Sequence, residues 1–351
     1  MRRLIALAAL ALLELTSPWM ARAIERPLIT VVSQNLYLGT DLAAIFAATD
    51  LSSAIDAGSA AFAAVQASNP AARMQAVADE LAKKRPDLIG LQEAGLWRSG
   101  APGTEPTTIE FDFVALLIDA LARHGLAYAA VATITNVDVQ FPARRGVEIL
   151  EMRHTDRDVI LARTDSALQI SNVQSANFET NAVIPVPVIG TFTVRRGWVS
   201  VDATLGGTTF RFVNTHLESV SPVVQLLQAL EILSGPADTT LPVVLVCDCN
   251  SSASGEGPDA TPTYAALLES GFTDAWSEKH PGADGFTCCQ AADLRNLPSA
   301  LIERIDFVLF RGDFDVRHAA LLGAAPGDRT KKPARLWPSD HAGVAATLEL
   351  R

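Results

Sequence analysis

The stretch Leu241-Pro242-Val243-Val244-Leu245-Val246 is apolar at every position and then breaks into Cys247-Asp248-Cys249-Asn250. Side chains alternate between the two faces of a strand, so a run apolar at both parities belongs to a sheet covered on both sides. The change to carboxylate and amide marks where the strand leaves the core. Similar β-branched runs recur at Ile29–Ser33, Leu88–Gln92, Val159–Arg163, Gly197–Ala203, Thr209–Asn214, Ile305–Phe310 and Gly343–Leu350. Two of them, Gly197–Asp202 and Thr209–Asn214, flank Leu205-Gly206-Gly207 and predict an antiparallel hairpin. Helical spacing occupies Met74–Lys84, Phe113–His124, Val223–Leu233 and Tyr264–Ser270. Strands of both kinds with helices outside them predict a layered α/β sandwich. The Ala-rich segment Asp41–Asn69 is expected to add a helix or two beside the first strand. Trp97–Glu110, rich in Gly, Pro, Ser and Thr, reads as a surface loop. Val183–Phe192 is apolar enough to suit a hairpin that enters a membrane interface, and is adequately explained as strand core, the preferred reading.

Composition narrows the class. The chain has 351 residues, 49% of them hydrophobic and 19% charged, which excludes a disordered chain and a disulfide-dense mini-protein. Acids outnumber bases by 39 to 28, which excludes a basic nucleic-acid coat but not a local basic cleft. Residues 1–23 combine Arg2-Arg3, the apolar run Leu4–Leu13 and Ala21-Arg22-Ala23, the pattern of a secretory signal peptide. Cleavage after Ala23 leaves residues 24–351 as one domain and moves the net charge from −11 to −13, with 25 bases against 38 acids. The expected location is therefore extracellular or periplasmic, with no transmembrane span in the mature chain. In that oxidising setting the four cysteines, Cys247, Cys249, Cys288 and Cys289, are candidates for disulfides. A zinc site is disfavoured because two adjacent cysteines do not fit structural zinc spacing. One bridge between the two clusters is the preferred expectation, the partners being left open.

Six segments end predicted strands with polar groups that a core strand has no use for. They are Ser33-Gln34-Asn35, Gln92-Glu93, Asn214-Thr215-His216, Asp248-Cys249-Asn250, Arg304-Ile305-Asp306 and Ser339-Asp340-His341. In this order they resemble the endonuclease/exonuclease/phosphatase superfamily, from about Ile29 to Leu350. The matching pieces include Gln34-Asn35-Leu36, Asp87–Glu93 and Asn214–Leu217. The family's Gly-Asp-Phe-Asn strand end appears here as Cys247-Asp248-Cys249-Asn250. The resemblance implies a four-layer, DNase I-like helix–sheet–sheet–helix sandwich and a Mg²⁺-dependent phosphoric ester hydrolase, with Mn²⁺ or Ca²⁺ as alternatives.

Chemistry and resemblance together suggest roles. Hard oxygen donors suit such a cation, which is typically held by one or two carboxylates. Glu93 is the expected ligand, with Asp340 as a further ligand and Asn35 orienting the metal site. His341 and Asp306 form an expected carboxylate–imidazole pair; Asp248 and Asn250 position water or phosphate oxygens; His216 stabilises phosphate or protonates the leaving group. Whether Asp248 or His341 takes the proton from water stays open. Arg329, Lys331, Lys332 and Arg335 form a basic loop that could line the cleft as a phosphate-binding lip. Arg195-Arg196 offers a weaker version. Trp97 and Trp337 flank the Glu93 and Asp340 segments, which suits stacking on a base, contact with a lipid or burial beside the site, and His124, His154, His280 and His318 read as surface residues. An extracellular nuclease is the preferred expectation, with nucleic acid as partner. A sphingomyelinase or phospholipase C-like enzyme acting on phospholipid is the alternative, and a non-catalytic secreted binding protein the alternative of another class. No obligate protein partner is evident.

Overall fold

The computed structural model describes residues 26–187 and 189–351, so the expected signal peptide lies outside the described residues. Strand β1 (Leu28–Asn35) pairs in parallel with β2 (Leu88–Gln92) and antiparallel with β16 (Gly343–Leu350). To these add β15 (Phe314–Leu322), β6 (Glu148–Arg163), β5 (Tyr128–Arg145), β3 (Leu96–Gly100) and β4 (Thr108–Asp112). Their order is β15-β16-β1-β2-β6-β3-β4, with β5 also on β6. The second sheet runs β13 (Thr273–Asp274), β14 (Asp306–Arg311), β12 (Val243–Asp248), β11 (Thr208–His216), β10 (Gly197–Leu205), β7 (Gln169–Asn177). The expected hairpin is β10–β11, antiparallel in register Ser200↔Val213.

Strand alternation divides the apolar residues among three interiors. Val31, Leu88, Ile160 and Leu348 of the first sheet meet Val199, Phe212, Val244 and Val246 of the second, forming the core between the sheets. The opposite face of the first sheet, with Val32, Ile89 and Leu161, is covered by α2 (Leu51–Ala67), α3 (Pro70–Lys84) and α4 (Phe113–Arg123). The outer face of the second, with Val243, Leu245 and Phe307, is covered by α5 (Pro222–Ser234) and α6 (Thr263–Glu269). The result is the expected four-layer sandwich. Two short helices complete the set among the described residues: α1 (Ala43–Phe46) and α7 (Ala275–Lys279). The helices start where side chains satisfy free amides: Asp50 caps α2, Asn69 caps α3 ahead of Pro70, and Ser221 caps α5 ahead of Pro222. In α3, Met74, Val77, Ala78 and Leu81 fall on one stripe and are all buried.

Three expectations need correction. Trp97–Glu110 is not simply a loop: its ends are β3 and β4, β3 pairing with β6 with Trp97↔His154 in register, and only Ala101–Thr107 is the connecting turn. Val183–Phe192 is not core strand either. It lies in a separate hairpin, β8 (Ala182–Val186) and β9 (Gly190–Val194), paired only with itself. The cysteines pair within their clusters, Cys247 with Cys249 and Cys288 with Cys289, so the bridge between clusters does not form. The reason is the strand period: Cys247 and Cys249 share the face packed under α5 and α6, 5.1 Å apart at Cα, within disulfide range. Cys289 stands instead beside His341, with its Sγ 4.0 Å from Nε2.

Candidate active site

The site forms where strand ends of both sheets meet. In the second sheet, pairing sets His216 opposite Asp248 across β11 and β12, and Asp248 opposite Asp306 across β12 and β14. Three polar residues thus stand side by side on adjacent strand ends. In the first sheet, Asn35 is in register with Gln92, so Asn35 and Glu93 leave neighbouring strands together. Asp340 and His341 sit just before β16, which runs back along β1. Glu93 and Asn250 both take left-handed backbone, φ +51° and +48°. That conformation is costly for a non-glycine residue and recurs at functional sites. It turns the chain sharply off each strand end.

Asp248 is the hub. Its Oδ2 accepts from Asn35 Nδ2 at 2.9 Å and lies 3.4 Å from His216 Nε2 and 3.7 Å from His341 Nδ1. Its Oδ1 accepts from the Asn250 amide at 3.2 Å. His341 Nδ1 donates to Asp306 Oδ2 at 2.9 Å, so Asp306 serves the imidazole and not Arg304, whose guanidinium is engaged by Asp274. Asn35 Oδ1 accepts the Tyr37 amide, so both ends of that side chain are used in positioning. Gln225 of α5 holds the carbonyls of Glu218 and Asn250.

The sequence profile of the Endonuclease/Exonuclease/phosphatase family matches residues 33–341, which span every one of these groups. The chain belongs to this family. Solved structures share its fold. A family protein from Bacteroides thetaiotaomicron is 18% identical, with a TM-score of 0.56, covering 93% of this chain and 99% of its own. One from Leptotrichia buccalis C-1013-b is 15% identical, with a TM-score of 0.54, covering 92% and 100%. A mannosyl-6-phosphatase from Bacteroides thetaiotaomicron VPI-5482 is 18% identical, with a TM-score of 0.54, covering 91% and 99%. No curated protein matches the chain in sequence.

The electrostatics of this family member sort its titratable groups. Burial, together with repulsion from Asp340 and Asp156, pushes the Glu93 carboxyl up to about 7. Burial also raises Asp340, against the pull of His341 and Arg73. Two carboxylates crowded in this way, with Glu93 tied through Oε2 alone to the Leu38 amide, are a donor set that a hard divalent cation fits. Burial and Asp306 push Asp248 up to about 6. Burial works against the charged form of His341, but Asp306, Asp248 and Asp340 outweigh it and hold the imidazole well above its ordinary value. His216 goes the other way: burial, then Arg196 and His341, keep it neutral. Arg196 Nη1 donates to its Nδ1 at 2.9 Å, which leaves the proton on Nε2, facing Asp248.

Several site neighbours carry no signal in the sequence. Arg73, fully buried on α3, donates to the carbonyls of Leu36, Tyr37, Pro338 and Ser68 and sets a cation behind Glu93 and Asp340. Arg196, suggested only as a weak phosphate contact, is buried between His216 and Asp156. His154, expected at the surface, is buried, and burial depresses it to about 3. His124, His280 and His318 do reach solvent to differing degrees. Trp97 and Trp337 are buried, their indole N–H groups donating to Leu38 and Asn296 carbonyls, so neither is a stacking platform. Arg329, Lys331 and Lys332 border a depression against α3, with Arg335 exposed beside them. None of these four lines the cavity containing Glu93 and Asp340.

Proposed function

We propose that this family member is an exported, divalent-metal-dependent phosphodiesterase that cleaves a phosphate ester with water. The observation that carries the reading is the Asp248–His341–Asp306 array beside the paired carboxylates Glu93 and Asp340. A divalent cation, Mg²⁺ first, would be held by Glu93 and Asp340 and would neutralise charge on the phosphoryl oxygens. Asp248, titrating near 6, suits the base that accepts the proton of the attacking water at its free carboxylate edge. His341, kept cationic by Asp306, suits a phosphate clamp and a donor to the leaving oxygen. His216 contributes a neutral Nε2–H, and Asn35 and the Asn250 amide hold Asp248 in place.

The nuclease expectation is weakened by the charge around the cavity. Asp41, Glu93, Asp156, Glu218 and Asp340 line it against the single guanidinium of Arg196. A polyanion gains little there, whereas nucleic-acid grooves depend on phosphate-tracking cations. The test is hydrolysis of bis-p-nitrophenyl phosphate, plasmid DNA, RNA and sphingomyelin liposomes by the mature protein with Mg²⁺, with and without EDTA. Turnover abolished by EDTA supports the reading. Absence of turnover on every substrate with Mg²⁺, Mn²⁺ or Ca²⁺ would overturn it in favour of a binding protein.

A further inference from the structure

The cavity that contains Glu93 and Asp340 has a volume of about 640 Å³, within the range of pockets that enclose small-molecule ligands. Beside the charged groups, much of its lining is apolar: Leu42, Phe46 and Ala47 from the α1 region and Ile184, Pro185 and Val194 from the β8–β9 hairpin. That hairpin pairs with neither large sheet, and Phe46, Ile184 and Val194 belong to none of the buried core clusters. It is fastened to α1 by a ring contact, Phe46 to Phe192, with centroids 4.7 Å apart. An apolar wall that no core requires, built directly onto metal-ligating groups, is explained by an apolar occupant. Val220, which lines the cavity, is 66% exposed, so apolar surface is open to solvent at the cavity itself.

We propose that this cavity is the subsite for an aliphatic chain esterified to the scissile phosphate, making the substrate class an alkyl phosphodiester and not a nucleic acid. The inference rests on the phosphodiesterase reading and specifies its substrate. Water adds to phosphorus, the P–O bond to the leaving oxygen breaks, and that oxygen departs with a proton. A phosphate monoester and an alcohol result, and no oxidant or further reactant is needed. A chain in the cavity brings the phosphate to the cation that Glu93 and Asp340 would hold, because the apolar residues and the carboxylates line one cavity.

The test is a series of p-nitrophenyl alkyl phosphates with methyl, butyl and octyl chains, used below micelle-forming concentrations with Mg²⁺. Each methylene received by the cavity should raise kcat/KM about three- to fourfold until the chain fills it. In Ala47→Trp, which occupies part of the cavity, the octyl-to-methyl ratio should collapse at least tenfold. A second measurement does not depend on catalysis: calorimetric binding of butyl and octyl phosphate to the wild-type protein in EDTA. Tighter octyl binding with a negative heat-capacity change supports the subsite even if no ester is cleaved. A kcat/KM independent of chain length, or equal binding of both phosphates, would overturn the subsite while leaving phosphodiesterase activity standing. Failure of every hydrolysis with intact chain-length-dependent binding would instead refute the catalytic reading. Phospholipid vesicles form the last arm. Cleavage of vesicles as well as monomers identifies a membrane source for the chain, cleavage of monomers alone a soluble one, and both support the subsite.

Discussion

Gly90 sits in the middle of β2, three residues before Glu93, where β2 packs directly on β11 and β12 of the second sheet. A Cβ there would overlap Val246 Cγ2 of β12 and stand 2.7 Å from Asn214 Oδ1 of β11. Ordinary contact would require both neighbours to retreat. Asn214 cannot retreat freely, since its Nδ2 donates to the carbonyls of Leu91 and Val159 across the sheets and its Oδ1 accepts from Gln92. Overpacking of one site costs about 1–3 kcal/mol, and strained buried hydrogen bonds add to that. Gly90→Ala should therefore destabilise the protein by about 3 kcal/mol. Val246→Ala should cost about 2 kcal/mol through lost burial and a cavity. The double variant relieves the worst overlap, so it should cost about 3 kcal/mol, well below the sum of the single changes. Urea unfolding of the four proteins measures the cycle. Strict additivity, within about 0.5 kcal/mol, would refute the claim that Gly90 exists to let the sheets meet. The same displacement tilts the turn carrying Glu93, so calorimetric Mg²⁺ affinity should fall in Gly90→Ala and partly recover in the double variant.

Removing Glu93 or His341 as Ala should abolish nearly all Mg²⁺-dependent hydrolysis; wild-type turnover in either variant contradicts the site as described. The rate of the wild-type enzyme should rise through about pH 6 as Asp248 loses its proton, and fall at higher pH as His341 loses its own. Asp306→Asn removes the charge that keeps His341 protonated, so the alkaline limb should move to lower pH; an unmoved limb means His341 is not the group observed. Arg73→Met leaves the carbonyls of Leu36, Tyr37 and Pro338 without a donor and should cost about 3 kcal/mol in urea unfolding, with little recovery in Arg73→Lys, because one ammonium cannot span carbonyls held by a planar fork. Recovery of full stability in the lysine variant would show that charge alone matters there.

The strands legible in sequence are those whose two faces are both buried, such as Leu88–Gln92 and Val243–Asp248, because a short run apolar at both parities suits little besides a covered strand. The polar residues closing them are legible for the same reason, as departures from a pattern. By contrast β5, with Thr133, Thr135 and Gln140 exposed among its alanines and valines, has no distinctive signal until β6 is placed beside it. Arg73 carries no mark in the sequence and Arg196 reads there only as a weak phosphate contact, because a buried guanidinium differs from an exposed one only in its partners, which come from distant segments. Asp156 and Asp158 belong with them: both are buried, Asp158 is held well above the ordinary carboxyl range by burial and Asp156, and nothing in Asp156-Arg157-Asp158 distinguishes it from a surface run. The apolar Val183–Phe192 segment is visible, but its hydrophobicity cannot reveal whether it serves a core or a cavity.

The pairing of β1 with β16 has a consequence for how the site is assembled. Asn35 ends β1, whereas Asp340 and His341 lead into β16, and Leu28–Ser33 pair with Val344–Glu349. Before that pairing forms, Asp248 has His216 but not His341 beside it, and Glu93 lacks its companion carboxylate. Completion of the site thus waits on a strand pairing between segments some three hundred residues apart, a kind of contact that is intrinsically slow to form. Loss of β16 together with Asp340 and His341 would disarm the site, whatever remained of the other described strands.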